Sequence, residues 1–120
     1  MDRKTALITG VSGQDGSYLA DLLLEKGYRV VGLLRRTAEF DRENLRHLKG
    51  KIAFEFGDLS DASALDSVVN KHRPDEVYNI AAQSVPADSW SRPFETGDIT
   101  GLGVVRMLEA VRKWSPEARF

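Results

Sequence analysis

A chain of 120 residues, 42% hydrophobic and 29% charged, has the composition of one ordinary globular domain at most, and its formal net charge of −1, with basic residues scattered outside Arg35-Arg36, leaves no electrostatic footprint for nucleic acid or an anionic membrane. Cysteine is absent, which excludes disulfides and cysteine catalysis, and His47 and His72 alone are too few for a zinc constellation, so no metal site is expected. No stretch approaches the roughly 20 apolar residues of a membrane span, and Met1-Asp2-Arg3-Lys4 leads into an apolar run too short for a secretory leader, so a cytoplasmic location is expected.

The first apolar run, Ala6 to Ile8, reads as a strand that ends in Thr9-Gly10-Val11-Ser12-Gly13-Gln14-Asp15-Gly16. Tyr18, Leu19, Leu22 and Leu23 then recur at helical spacing, giving strand, glycine loop, helix. The glycines are spaced G-x-x-G-x-x-G, not the G-x-G-x-x-G of the ordinary dinucleotide fingerprint. The same physical roles can be filled: Gly10 for a tight turn, Gly13 for close approach of backbone N–H groups to a pyrophosphate, Gly16 for bringing the helix close to the sheet. The helix N-terminus adds unpaired N–H groups and a positive dipole end. Gly10, Val11, Ser12, Gly13, Gln14, Asp15 and Gly16 are therefore candidate pyrophosphate contacts.

This helix is predicted over Ser17 to Lys26, with Leu22 and Leu23 facing the sheet and Gly27 as its stop. Val30 to Leu34 gives a second strand. At its end, about twenty residues beyond the glycine loop, Arg35 and Arg36 occupy the place where an acidic residue ordinarily holds a ribose 2′-OH. Two planar, permanently charged guanidinium groups suit a 2′-phosphate, so the cofactor predicted is NADP(H). The plainer alternative, a structural turn beside a solvated basic pair, does not account for strand, loop, helix, strand and Arg pair falling in this order.

A short helix follows over Arg42 to Leu48, with Leu45 and Leu48 apolar and Gly50 as its stop. Ile52 to Phe56 is the third strand, leading through Gly57-Asp58-Leu59 to a helix cap at Ser60 or Asp61. Leu65, Val68 and Val69 form the buried stripe of the next helix, which Pro74 terminates. Glu76 to Ala82 is the fourth strand, followed by Gln83 and Ser84. After a loop through Pro86 and Pro93, a longer helix is predicted over Thr96 to Trp114, with Ile99, Leu102, Val105, Leu108 and Val111 on one side. Gly97, Gly101 and Gly103 cost about 1 kcal/mol each relative to Ala in a helix, which points to close packing there. Ala118 to Phe120 reads as the start of another strand.

Four alternations of strand and helix predict an α/β, Rossmann-like doubly wound parallel sheet in the order 3-2-1-4, cut off after about four strands. The crevice between strands one and four is then the topological switch point, where ligands bind at the carboxyl ends. Asp58 stands where it either accepts a hydrogen bond from an adenine amino group or caps the helix that follows, with Leu59 packing near the base. Ile80, Ala81 and Ala82 offer small and apolar side chains beside a backbone that can meet the ribose and phosphates, a pattern a buried strand end would share, and Ser84 is a candidate to face the reacting sugar. Trp90, Phe94 and Trp114 are read as packing residues, His47 and His72 as surface residues.

The stretches ALITGVSGQDGSYLADLLLEKGYRVVGLLRRT, GDLSD, PDEVYNIAAQS and TGDITGLGVVRMLEAVRK resemble the extended short-chain dehydrogenase/reductases, and within them the 4,6-dehydratase branch that acts on GDP-mannose. The loop GQDGSYLA together with the Arg pair is close to specific for that branch, since epimerases and dTDP-glucose dehydratases usually carry G-F-I-G there. The resemblance covers the whole chain but only the first third or so of a family member. It implies the N-terminal portion of an NADP-binding Rossmann domain over residues 1–120, with the sugar-nucleotide domain absent.

It further implies Gly10 to Asp15 on the pyrophosphate, Arg35 and Arg36 on the 2′-phosphate, Asp58 and Leu59 on the adenine, and Ile80 to Ser84 on the ribose and nicotinamide side. Thr37 to Asn44 resembles the segment that reaches a neighbouring protomer, implying a homotetramer for the full-length parent. Val85-Pro86 and Glu95 depart from the family pattern, which often has His-Val and, in some members, Tyr at these places. The family's reaction takes hydride from C4 of the mannose to NADP+, removes water across C5 and C6, and returns the hydride to C6. Its catalytic Thr or Ser, its Glu and its Tyr-x-x-x-Lys pair have no counterpart here, because Tyr18, Tyr28 and Tyr78 are followed four residues on by Leu22, Gly32 and Ala82. The chain alone is expected to be inactive and to fold poorly. Alternatives are another NADP-dependent nucleotide-sugar dehydratase, epimerase or reductase, or a binding-only module that senses NADP(H).

Overall fold

A computed structural model describes residues 3–11, 13–35, 43–80 and 102–120. Four parallel strands, β1 (Thr5–Thr9), β2 (Arg29–Leu34), β3 (Ala53–Phe56) and β4 (Glu76–Asn79), lie in the order β3-β2-β1-β4 that the alternation predicts. Between and after them run α1 (Gln14–Glu25), α2 (Glu43–Arg46), α3 (Ala62–His72) and α4 (Gly103–Trp114). The register pairs Thr9 with Leu33 and with Asn79, and Leu34 with Phe56, so the four carboxyl ends share one edge.

Strand alternation divides the core into two layers. Leu7, Val31, Leu33 and Val77 join Leu65, Val68 and Val69 of α3 and Met107, Ala110 and Val111 of α4 on one face. Ala6, Ile8, Val30 and Leu34 join Ala20 and Leu23 of α1 with Leu45 and Leu48 on the other. Because both faces are covered, the central strands are apolar at successive positions, and each large side chain so buried stabilises the fold by about 1.5–3 kcal/mol.

Helix α1 starts at Gln14, earlier than the periodicity predicts, because Gly13 is its N-cap in extended backbone and the helix runs straight off the glycine loop. Its buried face is Gly16, Ser17, Ala20 and Leu23. Leu22, expected against the sheet, is 48% exposed, and Tyr18 is 63% exposed. One turn apart, they share the solvent side, while the smaller Gly16 and Ala20 let the helix approach the sheet. The helix ends as expected at Gly27 (φ 85°), where Gly27 N–H donates to Leu24 O and Tyr28 N–H to Leu23 O, both at 3.0 Å, in a Schellman arrangement.

The predicted helix over Arg42 to Leu48 is regular over Glu43–Arg46, and Leu45 and Leu48 are buried as expected. Asp61 is the cap of α3, accepting from Ala64 N–H at 3.1 Å, and Arg73 in left-handed backbone ends the helix before Pro74. In α4 the predicted apolar side is only partly the buried one. Val111 is buried, but Leu102, Val105 and Leu108 are exposed, and the inward face is Gly103, Met107, Ala110 and Val111. Both stripes are apolar at helical spacing, and the one carrying Gly103 and Ala110 can come closer to α3. Trp114 packs as expected and donates from Nε1 to Asp66 Oδ1 at 2.8 Å, with Arg73 and Lys113 over its ring. The predicted segment from Ala81 to Gly101, with Trp90, Phe94, Gly97, Ile99 and the loop prolines, lies outside the described residues.

His72, expected on the surface, is buried. The last turn of α3 lies across β3, where His72 Nε2 meets Glu55 Oε2 at 2.6 Å and Lys71 Nζ reaches the same oxygen at 2.9 Å. Burial opposes the Glu55 charge, but these two donors outweigh it and hold the carboxyl below its ordinary value. The expected start of a further strand is also found: Arg119 pairs parallel with Glu76, and Val77 N–H donates to Arg119 O at 2.7 Å.

At the amino-terminal edge of the sheet, buried Glu76 accepts from Tyr78 Oη at 2.5 Å and Tyr28 Oη at 2.7 Å. The hydrogen bonds from Tyr78 and Tyr28 hold the Glu76 carboxyl low, and the bond to Glu76 pushes Tyr78 up to about 12. The two shifts act at opposite ends of the pH scale. Glu76 stabilises above the ordinary carboxylate range, and that contribution is lost as pH falls through its depressed folded value. Tyr78 stabilises fully below pH 10, and its contribution is lost as pH rises from there through about 12. Glu76→Gln is expected to cost about 1.5–3 kcal/mol near neutrality and to flatten both limbs of a plot of urea midpoint against pH. Limbs parallel to wild type would overturn the assignment.

Candidate functional site

At the carboxyl edge β1 and β4 end side by side, and the chain leaves them on the two sides of the sheet's switch point. Buried Thr9 donates from Oγ1 to Asn79 Oδ1 at 2.7 Å and ties the two strand ends together. The sequence reading misses this pair, although a polar residue closing each of two neighbouring apolar strands is its signal.

Gly10 turns the chain out of β1 with φ 72°, a conformation that strains any residue with a Cβ. The turn closes through Gly13 N–H to Gly10 O at 3.1 Å. Val11 is fully buried and projects under Gly32, where a Cβ would come within 2.8 Å of Val11 Cγ1. The loop is thus pinned by the Val11 side chain, and Val11 has backbone to offer the carboxyl edge. At Gly16 a Cβ would stand 2.8 Å from Val11 Cα and 2.9 Å from the Gly10 carbonyl carbon. The close approach expected of Gly16 is made here: it seats α1 against the loop backbone where the chain leaves β1.

Gly13 differs. Its φ of −80° suits any residue, and a Cβ there would meet Gly10 O at 3.5 Å, an ordinary contact. Nothing in the described structure requires a glycine at this place. What a side chain at 13 would occupy is the space before the N-terminus of α1, where among the described residues no N-cap side chain bonds the helix end. Gln14 and Asp15 lie exposed in the first turn, with Gln14 Nε2 3.4 Å from Tyr18 Oη. That is the setting in which a helix end receives an anion.

Arg35 is exposed at the end of β2, directly after Leu34, whose carbonyl accepts Gly57 N–H at 2.8 Å from the end of β3. Asp58 follows in a turn of its own, its Oδ1 accepting from Ser60 N–H and Ser60 Oγ, both at 2.9 Å. Since Asp61 caps α3, the capping role weighed for Asp58 does not hold. Leu59 was expected to pack near a base, but its side chain is 4% exposed and lies in the core with Met107 and Val111; what it offers the carboxyl edge is backbone. Ile80 is exposed just beyond β4. Gly10, Val11, Gly13, Gln14, Asp15, Gly16, Arg35, Asp58, Leu59 and Ile80 therefore gather at the carboxyl edge, whereas Ser12, Arg36, Ala81, Ala82, Gln83 and Ser84 lie outside the described residues. Among the described residues no cluster of three or more His, Asp or Glu could hold a metal, and no helix is long and apolar enough to cross a membrane.

A family profile described as GDP-mannose 4,6 dehydratase matches residues 7–120. GDP-mannose 4,6 dehydratase 1 of Arabidopsis thaliana is 49% identical over 118 residues, covering 92% of this chain and 33% of that protein. The GDP-mannose 4,6-dehydratase of Vibrio cholerae serotype O1 is 46% identical over 119 residues, 93% of this chain and 32% of that one. Among solved structures, the UDP-glucose 4-epimerase of Thermus thermophilus in complex with NAD superposes with a TM-score of 0.80 at 31% identity, over 92% of this chain and 34% of that chain. The UDP-glucose 4-epimerase of Thermotoga maritima with UDP-glucose gives 0.80 at 28%, over 92% and 34%. The chain spans about a third of the length of the curated relatives it matches.

Proposed function

Since the chain belongs to the GDP-mannose 4,6 dehydratase family, we propose that its 120 residues supply the N-terminal, cofactor-binding portion of such an enzyme, a cytoplasmic homotetramer that uses NADP(H) and acts on GDP-mannose. The observation that carries this reading is Gly13: a glycine that nothing among the described residues requires, set as the N-cap of α1, where it offers the helix end no capping side chain, at the switch point of the sheet. A dinucleotide pyrophosphate fits that space. The NAD held by the Thermus thermophilus structure supports a nicotinamide dinucleotide, the names of the relatives support GDP-mannose, and the Arg pair supports the 2′-phosphate.

Bound NADP+ supplies the hydride acceptor and donor for a redox-neutral dehydration to GDP-4-keto-6-deoxymannose. The chain's own residues bind and orient. The backbone from Gly10 to Asp15 and the end of α1 receive the pyrophosphate, Gly16 keeps the loop seated, and Arg35 and Arg36 hold the 2′-phosphate. Asp58, fixed through Oδ1, has Oδ2 for the adenine amino group. The resemblance assigns the ribose and nicotinamide side to Ile80, Ala81, Ala82 and Gln83, the sugar to Ser84 and contact with a neighbouring protomer to Thr37 to Asn44.

Arg35→Ala with Arg36→Ala is expected to weaken NADP+ far more than NAD+, because each charge-assisted bond is worth about 1.5–3 kcal/mol, roughly ten-fold to a hundred-fold in affinity. Equal losses in calorimetric titrations would remove the 2′-phosphate assignment. The activity is tested on the protein from its full reading frame, given GDP-mannose and catalytic NADP+ without added reductant. Release of the 4-keto-6-deoxy sugar is expected. An epimerised sugar would favour the epimerase reading, and tight NADP(H) binding without turnover the sensing module.

A further inference from the structure

Helix α4 reaches the segment that follows β3 at the carboxyl edge through Arg106. This side chain donates from Nη1 to the carbonyl oxygen of Leu59 at 3.0 Å, bridging elements 47 residues apart in sequence. The Leu59 carbonyl and the Ser60 N–H belong to one planar peptide unit. On its other side that unit donates Ser60 N–H to Asp58 Oδ1 at 2.9 Å. Guanidinium, peptide plane and carboxylate thus form a relay in which each hydrogen bond polarises the next. Below it, the Leu59 side chain is anchored in the core beside Met107, the residue after Arg106.

We propose that Arg106 is a positioning residue for the adenine end of the site: by holding the Leu59 carbonyl it fixes the tilt of the Leu59–Ser60 peptide and, through Ser60 N–H, the direction in which Asp58 presents its carboxylate to the base. This rests on the reading of Asp58 as the acceptor for the adenine amino group. A loss of packing alone would weaken all dinucleotides alike. A relay aimed at Asp58 affects the preference for adenine over a base that carries a carbonyl oxygen in place of the amino group.

The test compares NADP+ with nicotinamide hypoxanthine dinucleotide phosphate on the protein from its full reading frame. Arg106→Met is expected to weaken NADP+ about tenfold, the worth of one charge-assisted bond, and to narrow its advantage over the hypoxanthine analogue by a similar factor. Arg106→Lys, which keeps a cation on a flexible stem, is expected to recover part of that preference and serves alone if the Met variant does not unfold cooperatively. Asp58→Ala separates the two readings. If it erases the base preference while both Arg106 variants keep the wild-type preference, the relay is wrong and the adenine assignment stands. If it leaves the preference intact, the adenine assignment fails and the relay with it.

Discussion

Gly13→Val is expected to abolish dinucleotide binding, by more than about a hundredfold, and to leave the fold standing. The backbone at 13 is extended (φ −80°, ψ 170°), which β-branched residues accept readily, and the nearest atom to a new Cβ is Gly10 O at 3.5 Å. The two methyl groups would fill the space in which phosphate oxygens meet the N–H groups opening α1. Gly16→Val is the contrasting case. Its Cβ would run into the backbone of Gly10 and Val11, so the fold itself loses about 1–3 kcal/mol or more before any ligand is added. Calorimetry and urea unfolding on both variants separate the effects. Wild-type affinity in a well-folded Gly13→Val protein would mean that the loop is only a turn.

The frame was legible because its signals are local. Two buried layers make β1 and β2 continuous apolar runs, the stops at Gly27 and Gly50 need positive φ, and four alternations leave few strand orders. Helix faces were less legible. Periodicity shows that α1 and α4 carry apolar stripes, but with large apolar residues on both sides the choice fell to Gly16 with Ala20 and to Gly103 with Ala110, whose small size permits closer approach. At the site, the glycine loop, Arg35 and Asp58 stand at fixed offsets from strand ends and could be read directly. Thr9 with Asn79 and Arg106 with Leu59 are separated by 70 and 47 residues and leave no local pattern. His72 was misread for the same reason, since Glu55, the partner that makes its burial tolerable, is supplied by another element.

The 120 residues alone, incubated with GDP-mannose and NADP+, are expected to release no 4-keto-6-deoxy product above background. Dehydration across C5 and C6 needs groups that take up and return protons at the sugar, and such groups contribute about 10²–10⁴-fold each. The tyrosines of this chain are committed elsewhere. Tyr28 and Tyr78 both donate to Glu76, at the amino-terminal edge, opposite the carboxyl edge. At about 12, the Tyr78 hydroxyl is also displaced away from the range useful to a base near neutrality. Tyr18 stands on the solvent side of α1 beside Gln14. The imidazoles are no better placed: His72 is locked to Glu55 under α3, and His47 pairs with Asp21 of α1 at 2.9 Å. No Tyr or His stands at the carboxyl edge among the described residues, in keeping with the proposal that leaves proton transfer to the Tyr-x-x-x-Lys pair the family resemblance implies. Product formed by a preparation free of host dehydratase would place the acid–base pair within this chain and overturn the division between cofactor binding here and chemistry elsewhere. Turnover by the protein from its full reading frame, with none from these 120 residues, is the result that division requires.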